Sequence, residues 1–316
     1  MKTALVALGG SPASRSVLEQ AEGLAHVFGA KLILLRVIET DARSGLLANA
    51  VQNRLARAEA STYLRGVANG LVARGIDVAR DVGFGDPATE ILRLAEAERV
   101  DLIVLGPNEG SSPADALGGT ALKVAARGKT SLLLARPSSR GPSNGAPVLS
   151  GVDGSPNGDW AAFHSARLAR ARGSDLVLAH ISVEPELMGA PAAGAACELA
   201  GQLARANRIA AMEHLERLRR QLQQPGLRIR TVVLCASSVL TGLSQVAHEY
   251  GADLTVVGAT GWSPRKPGHG SVANALLTTG GGSILVCQPT LTPADRGVQR
   301  ETVLSRPNRL QYARAQ

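Results

Sequence analysis

Aromatic residues make up only 3% of this 316-residue chain, although 45% of it is hydrophobic. A core so poor in rings has to be built from Ala, Val, Leu and Ile, a composition that suits buried parallel strands covered by Ala-rich helices. Long apolar runs are missing too. Nothing approaches the roughly 18 residues that span a bilayer, so a soluble protein without a membrane partner is expected. The apolar opening from Thr3 to Leu8 covers only about six residues, too few for the h-region of a secretory leader, and reads as a first β-strand. Cysteine is equally scarce. Cys197, Cys235 and Cys287 form no CxxC pair, which argues against a disulfide framework or a zinc site and fits a reducing cytoplasm.

The six histidines, His26, His164, His180, His214, His248 and His269, show no HExxH or H-x3-H spacing and no neighbouring cysteine, so no metal site is expected. A G-x-S-x-G elbow is absent, as is any other recognisable nucleophile motif. The net charge of +8 raises nucleic acid as a partner, but rings to stack on bases are few and no helix carries a concentrated basic stripe. Arg217, Arg219 and Arg220 fall late in a helix, where cations favour the dipole. Nucleic acid is therefore not expected.

What the sequence does contain is one unit written twice. GGSP at 9–12 returns as DGSP at 153–156, and LILLRV at 32–37 returns as LVLAHI at 176–181, both 144 residues on. VDLIVLG at 100–106 returns as ADLTVVG at 252–258, and SLLLA at 131–135 as SILVC at 283–287, both 152 residues on. The second copy therefore holds eight extra residues between its second and third strands. The copies delimit two domains, 1–137 and 147–289. Residues 138–146, a Pro, Ser and Gly stretch, read as the linker. The basic tail 290–316, with five arginines against two acids, is expected to be poorly ordered or to bind a partner.

Within each copy, short Val, Leu and Ile runs alternate with longer segments of helical period, the pattern of βαβ units. Strands are predicted near 3–8, 31–37, 76–82, 101–105 and 130–135, and again near 147–152, 175–182, 228–234, 253–257 and 282–287. Helices are predicted over 12–28, 49–74, 86–98, 156–172, 198–224 and 237–250. Asp86 is the predicted N-cap of the third helix, with Pro87 at its first position, and Ser237 and Ser238 can cap the corresponding helix.

Ligands of open parallel sheets bind beyond the carboxyl ends of the strands, where the strand order reverses. In the second copy this places Asp153, Gly154 and Ser155 beside the segment from Gly258 to Ser271. Glycines there let backbone N–H groups approach phosphate oxygens, and Gly270 and Ser271 would open a helix whose N-terminus favours anions. His269 could touch a phosphate as well, although an exposed loop histidine is the plainer reading.

Halves that begin V-D-G-S-P and end in a glycine-spaced loop before a short helix and strand resemble the universal stress protein family. The resemblance covers residues 1–137 and 147–289. It implies two tandem Rossmann-like or flavodoxin-like domains of the adenine nucleotide α-hydrolase type, each a five-stranded parallel sheet of order 3-2-1-4-5 with helices on both faces. Family members that bind ATP carry G-x2-G-x9-G-(S/T). Here the second copy reads Gly258-x2-Gly261-x8-Gly270-Ser271, one residue shorter.

By this resemblance the cofactor is ATP or a related adenine nucleotide, with or without Mg. Asp153 would face the adenine or ribose, Ile181 would pack on the base, and Gly258, Gly261, Gly270 and Ser271 would cradle phosphates. From the residues alone, Arg265 and Lys266 either compensate for the shortened loop with charge or simply form a solvated basic loop. In the first copy Gly9 replaces the aspartate, Val37 stands where Ile181 does, and the loop reads Gly106-x3-Gly110-x8-Gly119-Thr120. Glu109 and Asp115 bring negative charge to where phosphates would arrive, so weak or no binding is expected there.

Two domains of this family commonly associate through their last strands, so SLLLA and SILVC are expected to pair within the chain, a homodimer being the other possibility. Two functions stay open. One is a cytoplasmic stress-response regulator or sensor that binds adenine nucleotide in the second copy. The other is a nucleotide-independent interaction module that acts through dimer surfaces and the tail on an unidentified protein partner. No paired general base and metal ligand is visible, so any ATPase or autophosphorylating turnover is expected to be slow.

Overall fold

The computed structural model describes residues 1–10, 14–39, 46–107, 118–137, 145–183, 195–261, 270–279 and 281–288. The first half runs β1 (Thr3–Ala7), α1 (Ser14–Phe28), β2 (Lys31–Ile38), α2 (Leu46–Val72), β3 (Val78–Phe84), α3 (Pro87–Ala97), β4 (Leu102–Leu105), α4 (Gly119–Arg127) and β5 (Ser131–Leu134). The second repeats the order with β6 (Val148–Gly151), α5 (Pro156–Ala171), β7 (Leu176–Val183), α6 (Ala195–Leu222), β8 (Ile229–Ala236), α7 (Val239–Tyr250), β9 (Leu254–Gly258), α8 (Ser271–Thr279) and β10 (Ser283–Cys287). The predicted tail and most of the predicted linker lie outside the described residues.

Ten strands form one sheet in the order β3-β2-β1-β4-β5-β10-β9-β6-β7-β8. Neighbours are parallel within each half, and only β5 and β10 run antiparallel, with Leu133 opposite Leu285. Successive strand residues face opposite sides of the sheet. Ala4, Val6, Leu32 and Leu34 therefore join the core beneath α1, α2, α5 and α6. Leu5, Ile33 and Leu35 join the core beneath α3, α4, α7 and α8. Both faces are covered, which is why these strands read as unbroken apolar runs rather than as alternation. Each such leucine, fully removed from water, contributes about 1.5–3 kcal/mol before the entropy of ordering it is counted.

The junction between the halves is built from matching serines. Arg136 N–H donates to Ser283 Oγ at 3.0 Å, and Gln288 N–H donates to Ser131 Oγ at 3.0 Å. One side chain breaks the symmetry. The buried Arg136 guanidinium crosses the seam to donate to Leu277 O at 2.7 Å, a carbonyl in the last turn of α8, and to Gly282 O at 2.9 Å, just before β10. Above the same seam, the His164 ring of α5 meets Phe28 of α1 edge-on at 5.6 Å.

Helix starts follow the capping logic of the sequence. Asp86 caps α3 by accepting Thr89 N–H at 3.0 Å, with Pro87 in the first turn. Ser238 caps α7 by accepting Thr241 N–H at 3.0 Å.

Candidate functional site

A cavity of about 450 Å³ opens at the carboxyl ends of β6, β7 and β9, between α7 and α8. Gly151 and Asp153 close one side of it, Ile181 and Leu243 form an apolar wall, and Gly258, Thr260, Gly261 and Gly270 border the other side. Its size lies in the range of small-molecule sites. Gly270 caps α8, its carbonyl accepting Asn274 N–H at 2.9 Å. The first three helical residues, Ser271, Val272 and Ala273, all line the cavity. N–H groups in a first turn have no acceptor within their own helix, so this end of α8 carries partial positive charge to the cavity.

Asp153 is held by the turn that follows it. Its Oδ1 accepts Ser155 N–H at 3.0 Å and the Ser155 hydroxyl at 2.5 Å. Ser155 Oγ in turn accepts Gly158 N–H at 3.1 Å and caps α5. The fully buried Ser155 thus orients Asp153 instead of lining the cavity. Gly154, at φ +78°, supplies the turn and does not line it either. The remaining residues predicted for the second copy, Asp153, Ile181, Gly258, Gly261, Gly270 and Ser271, are all brought to this cavity. Arg265, Lys266 and His269 lie outside the described residues.

Three further residues shape the site without having been singled out from the sequence. A Cβ on Gly158 would come within 2.6 Å of Asp153 Oδ1, and one on Gly242 within 2.5 Å of Ile181 Cγ2. Both glycines sit inside helices, where glycine costs about 1 kcal/mol relative to alanine. That unfavourable placement was a readable sign of close approach. Asn157 Nδ2 donates to Thr260 Oγ1 at 2.6 Å and to Thr260 O at 3.1 Å, fastening the loop after β9 to the start of α5.

Behind Asp153, on the opposite face of the sheet, stands His180. Its Nδ1 lies 2.9 Å from Val152 O, so the carbonyl accepts the Nδ1 proton. Burial pushes its pKa down, against the opposing influence of that hydrogen bond and of the Asp153 charge. Nearby, His214 Nε2 donates to Asp159 Oδ1 at 2.8 Å.

The first half gathers its counterparts differently. Gly9, Val37, Gly106, Gly119 and Thr120 occupy the equivalent strand ends and helix start, while Gly110, Glu109 and Asp115 lie outside the described residues. The N-cap of α4 is Gly118, so that helix starts at Gly119, one residue earlier in the motif than α8. Among the described residues, no acid is in contact with Gly10. Instead the Arg36 guanidinium lies so close that a Cβ there would come within about 3 Å of it.

The sequence model of the universal stress protein family matches residues 1–136 and 146–288. The chain belongs to that family. Solved universal stress proteins share the fold across nearly the whole length. One from Archaeoglobus fulgidus is 18% identical, with a TM-score of 0.63 over 91% of this chain and 98% of its own. A putative universal stress protein from Pseudomonas aeruginosa is 18% identical, with a TM-score of 0.65 over 97% of this chain and 98% of its own. No curated protein matches in sequence. Among the described residues of this member of the family, no helix is long and apolar enough to cross a membrane, and no cluster of three or more His, Cys, Asp or Glu side chains could hold a metal.

Proposed function

We propose that this universal stress protein binds ATP or a related adenine nucleotide in its second half and acts as a regulator that responds to nucleotide level. In this reading the chain is two domains, 1–137 and 147–289, of which only the second keeps a working site. One observation carries the proposal: the first turn of α8 and the carboxylate of Asp153 share a single cavity with an apolar wall at Ile181 and Leu243. Polyanion, hydroxylated sugar and flat base each find matching chemistry there. Asp153 is the one acid lining the cavity among the described residues, so a magnesium ion would be held mainly by the phosphates themselves. No described group acts as a paired general base, so the residues serve binding and orientation.

Equilibrium binding of labelled ATP to the full chain tests this. Saturation at one nucleotide per chain is expected. Gly261→Val, whose Cβ would come within 2.6 Å of Asp153 Oδ2, and Asp153→Ala should each weaken binding at least about tenfold, the equivalent of about 1.4 kcal/mol. Absence of saturable binding would reject the proposal.

A second reading, a nucleotide-independent interaction module, is favoured by the loop that is one residue short of the family spacing. Loss of partner capture on deleting residues 289–316, with Gly261→Val behaving normally, would favour it over the first.

A further inference from the structure

The ten-stranded sheet ends in two edges, β3 and β8, and they are finished differently. Leu176 N–H donates to Arg228 O at 2.9 Å, so in β8 the backbone groups of the even residues turn toward β7. Those of Ile229, Thr231 and Val233 turn outward, away from the sheet. By the same argument Leu32 N–H, donating to Asp77 O at 2.8 Å, leaves Val78, Arg80 and Val82 facing outward on β3. There the chain closes its own edge: Asp81 Oδ1 accepts the outward Val82 N–H at 2.8 Å. The matching position on β8 is Val232, which has no acceptor to offer. Among the described residues no side chain caps Thr231 N–H or Val233 N–H.

Beside this uncapped edge, between β8 and α6, lies a groove of about 660 Å³. Thr231 and Val233 form its floor with Met212, a methionine that is 54% exposed. Arg208, Arg217 and Arg220 border it, while Arg228 and Arg230 lie outside it, paired with Asp175 at 3.8 and 3.4 Å. Its acids are Glu213 and Glu216, of which Glu216 is already engaged by Arg219 at 2.7 Å and Arg220 at 3.3 Å.

We infer that the β8 edge is a docking site for an extended acidic segment of a partner protein, which adds an eleventh strand to the sheet. Backbone pairing would come from Thr231 and Val233, side-chain selectivity from the apolar floor and the arginine border. Charge decides among occupants. The chain's own tail after residue 288 carries five arginines against two acids and would be repelled. A second copy pairing edge to edge would set one arginine border against another. An acidic strand meets neither cost.

The test uses the full chain as bait for a phage-displayed library of randomised ten-residue peptides. Selected peptides should carry Asp or Glu on one alternation and β-branched or apolar residues on the other. The best of them, made synthetically and followed by fluorescence anisotropy, should lose at least about tenfold in affinity when N-methylated on one set of alternate residues and little when methylated on the other. Thr231→Pro should weaken it similarly, because an edge strand tolerates proline where the N–H faces outward. Arg208→Glu, which leaves the backbone untouched, should weaken it as well and so guards against a misfolded proline variant. A basic consensus, no consensus, or indifference to both N-methylation and Arg208→Glu would overturn the inference. So would binding that appears only after residues 289–316 are removed, or a dimer in light scattering that Thr231→Pro dissociates, since these would give the edge to the tail or to a second copy.

Discussion

At the end of β1 a glycine pair sits beneath an arginine, and at the end of β6 an aspartate sits beside a histidine. Arg36 and His180 hold the same register in their halves, 144 residues apart, on strands that pair identically with their neighbours. The Arg36 guanidinium covers Gly10 and stacks 5.3 Å from the Tyr63 ring. Burial lowers the His180 pKa, and its Nδ1–H donates to Val152 O. Among the described residues, the two ends of this shared frame therefore differ in the charge set beside them, Arg36 in the first half and Asp153 in the second. Most buried strand residues that set the frame changed only among Ala, Val, Leu and Ile, and the exceptions, Ser150 for Val6, Thr255 for Ile103 and Cys287 for Ala135, add no formal charge, whereas the strand ends changed in charge. Scaffold and site answer to different physics, packing volume in one and electrostatics in the other.

The largest effect should come from breaking the seam where the halves meet unequally. Arg136→Ala removes two hydrogen bonds from a buried cation and strands the carbonyls of Leu277 and Gly282. At about 1.5–3 kcal/mol for each charged hydrogen bond, less the desolvation recovered, a loss of about 3 kcal/mol is expected. Among the described residues its positional counterpart Gln288 makes only the backbone bond to Ser131 in this seam, so Gln288→Ala should cost well under about 1 kcal/mol. Thermal unfolding of both variants checks the asymmetry, and equal shifts would show the seam to be symmetric in energy as well as in topology.

A smaller contrast lies at the ends of β4 and β9. A Cβ on Gly258 would come within 2.8 Å of Asn157 C and O, which are backbone atoms that cannot swing away. One on Gly106 would come within 2.9 Å of Val17 Cγ2, a side-chain methyl that can yield. Gly258→Ala should thus cost about 2 kcal/mol and Gly106→Ala about 1 kcal/mol. If nucleotide sits in the cavity beside Gly258, the first substitution should also lower affinity and the second should not.

Most of the fold was legible because it rests on periodicity. Val, Leu and Ile runs marked every strand to within two residues, and the repeat offsets told which strands correspond. The long helices were legible in the same way, although α2 and α6 each begin three residues earlier than their periodicity indicated. The strand-end chemistry was only half legible. Asp153, Ile181 and the glycines could be placed because a motif with fixed spacing carries them. Ser155 could not be read correctly, since whether a hydroxyl lines a cavity or caps a helix depends on where the chain turns. Asn157 and Thr260 are 103 residues apart, and nothing local to either announces the hydrogen bond. Nothing in the sequence singles out Arg36, which only the fold lays over Gly10.

The smallest contrast separates two caps that do the same geometric work with different chemistry. Asp86 begins α3 with a carboxylate, which accepts Lys123 Nζ at 2.7 Å and the Thr89 hydroxyl and N–H at 2.8 and 3.0 Å. These contacts, Lys123 first, lower its pKa from 3.8 to about 2. Ser238 begins α7 with a neutral hydroxyl that accepts Thr241 N–H. A carboxyl whose pKa is lower in the folded state binds protons more readily once unfolded, so its stabilisation is present above the unfolded pKa and disappears as pH falls toward the folded one. The first-half cap should therefore weaken between about pH 4 and pH 2 while the second-half cap does not titrate. Replacing Asp86→Ser converts the first cap to the chemistry of the second. The variant should melt slightly below the parent near neutral pH, and the gap should close as pH approaches 2. Other acid-sensitive contacts, such as Glu216 with its arginines, are common to both proteins and cancel in the difference. High salt should shrink the gap in part, because the exposed Lys123 contact is screened while the Thr89 bonds are not. A gap that persists unchanged at the acid end would mean that the carboxylate charge is not what distinguishes the two caps.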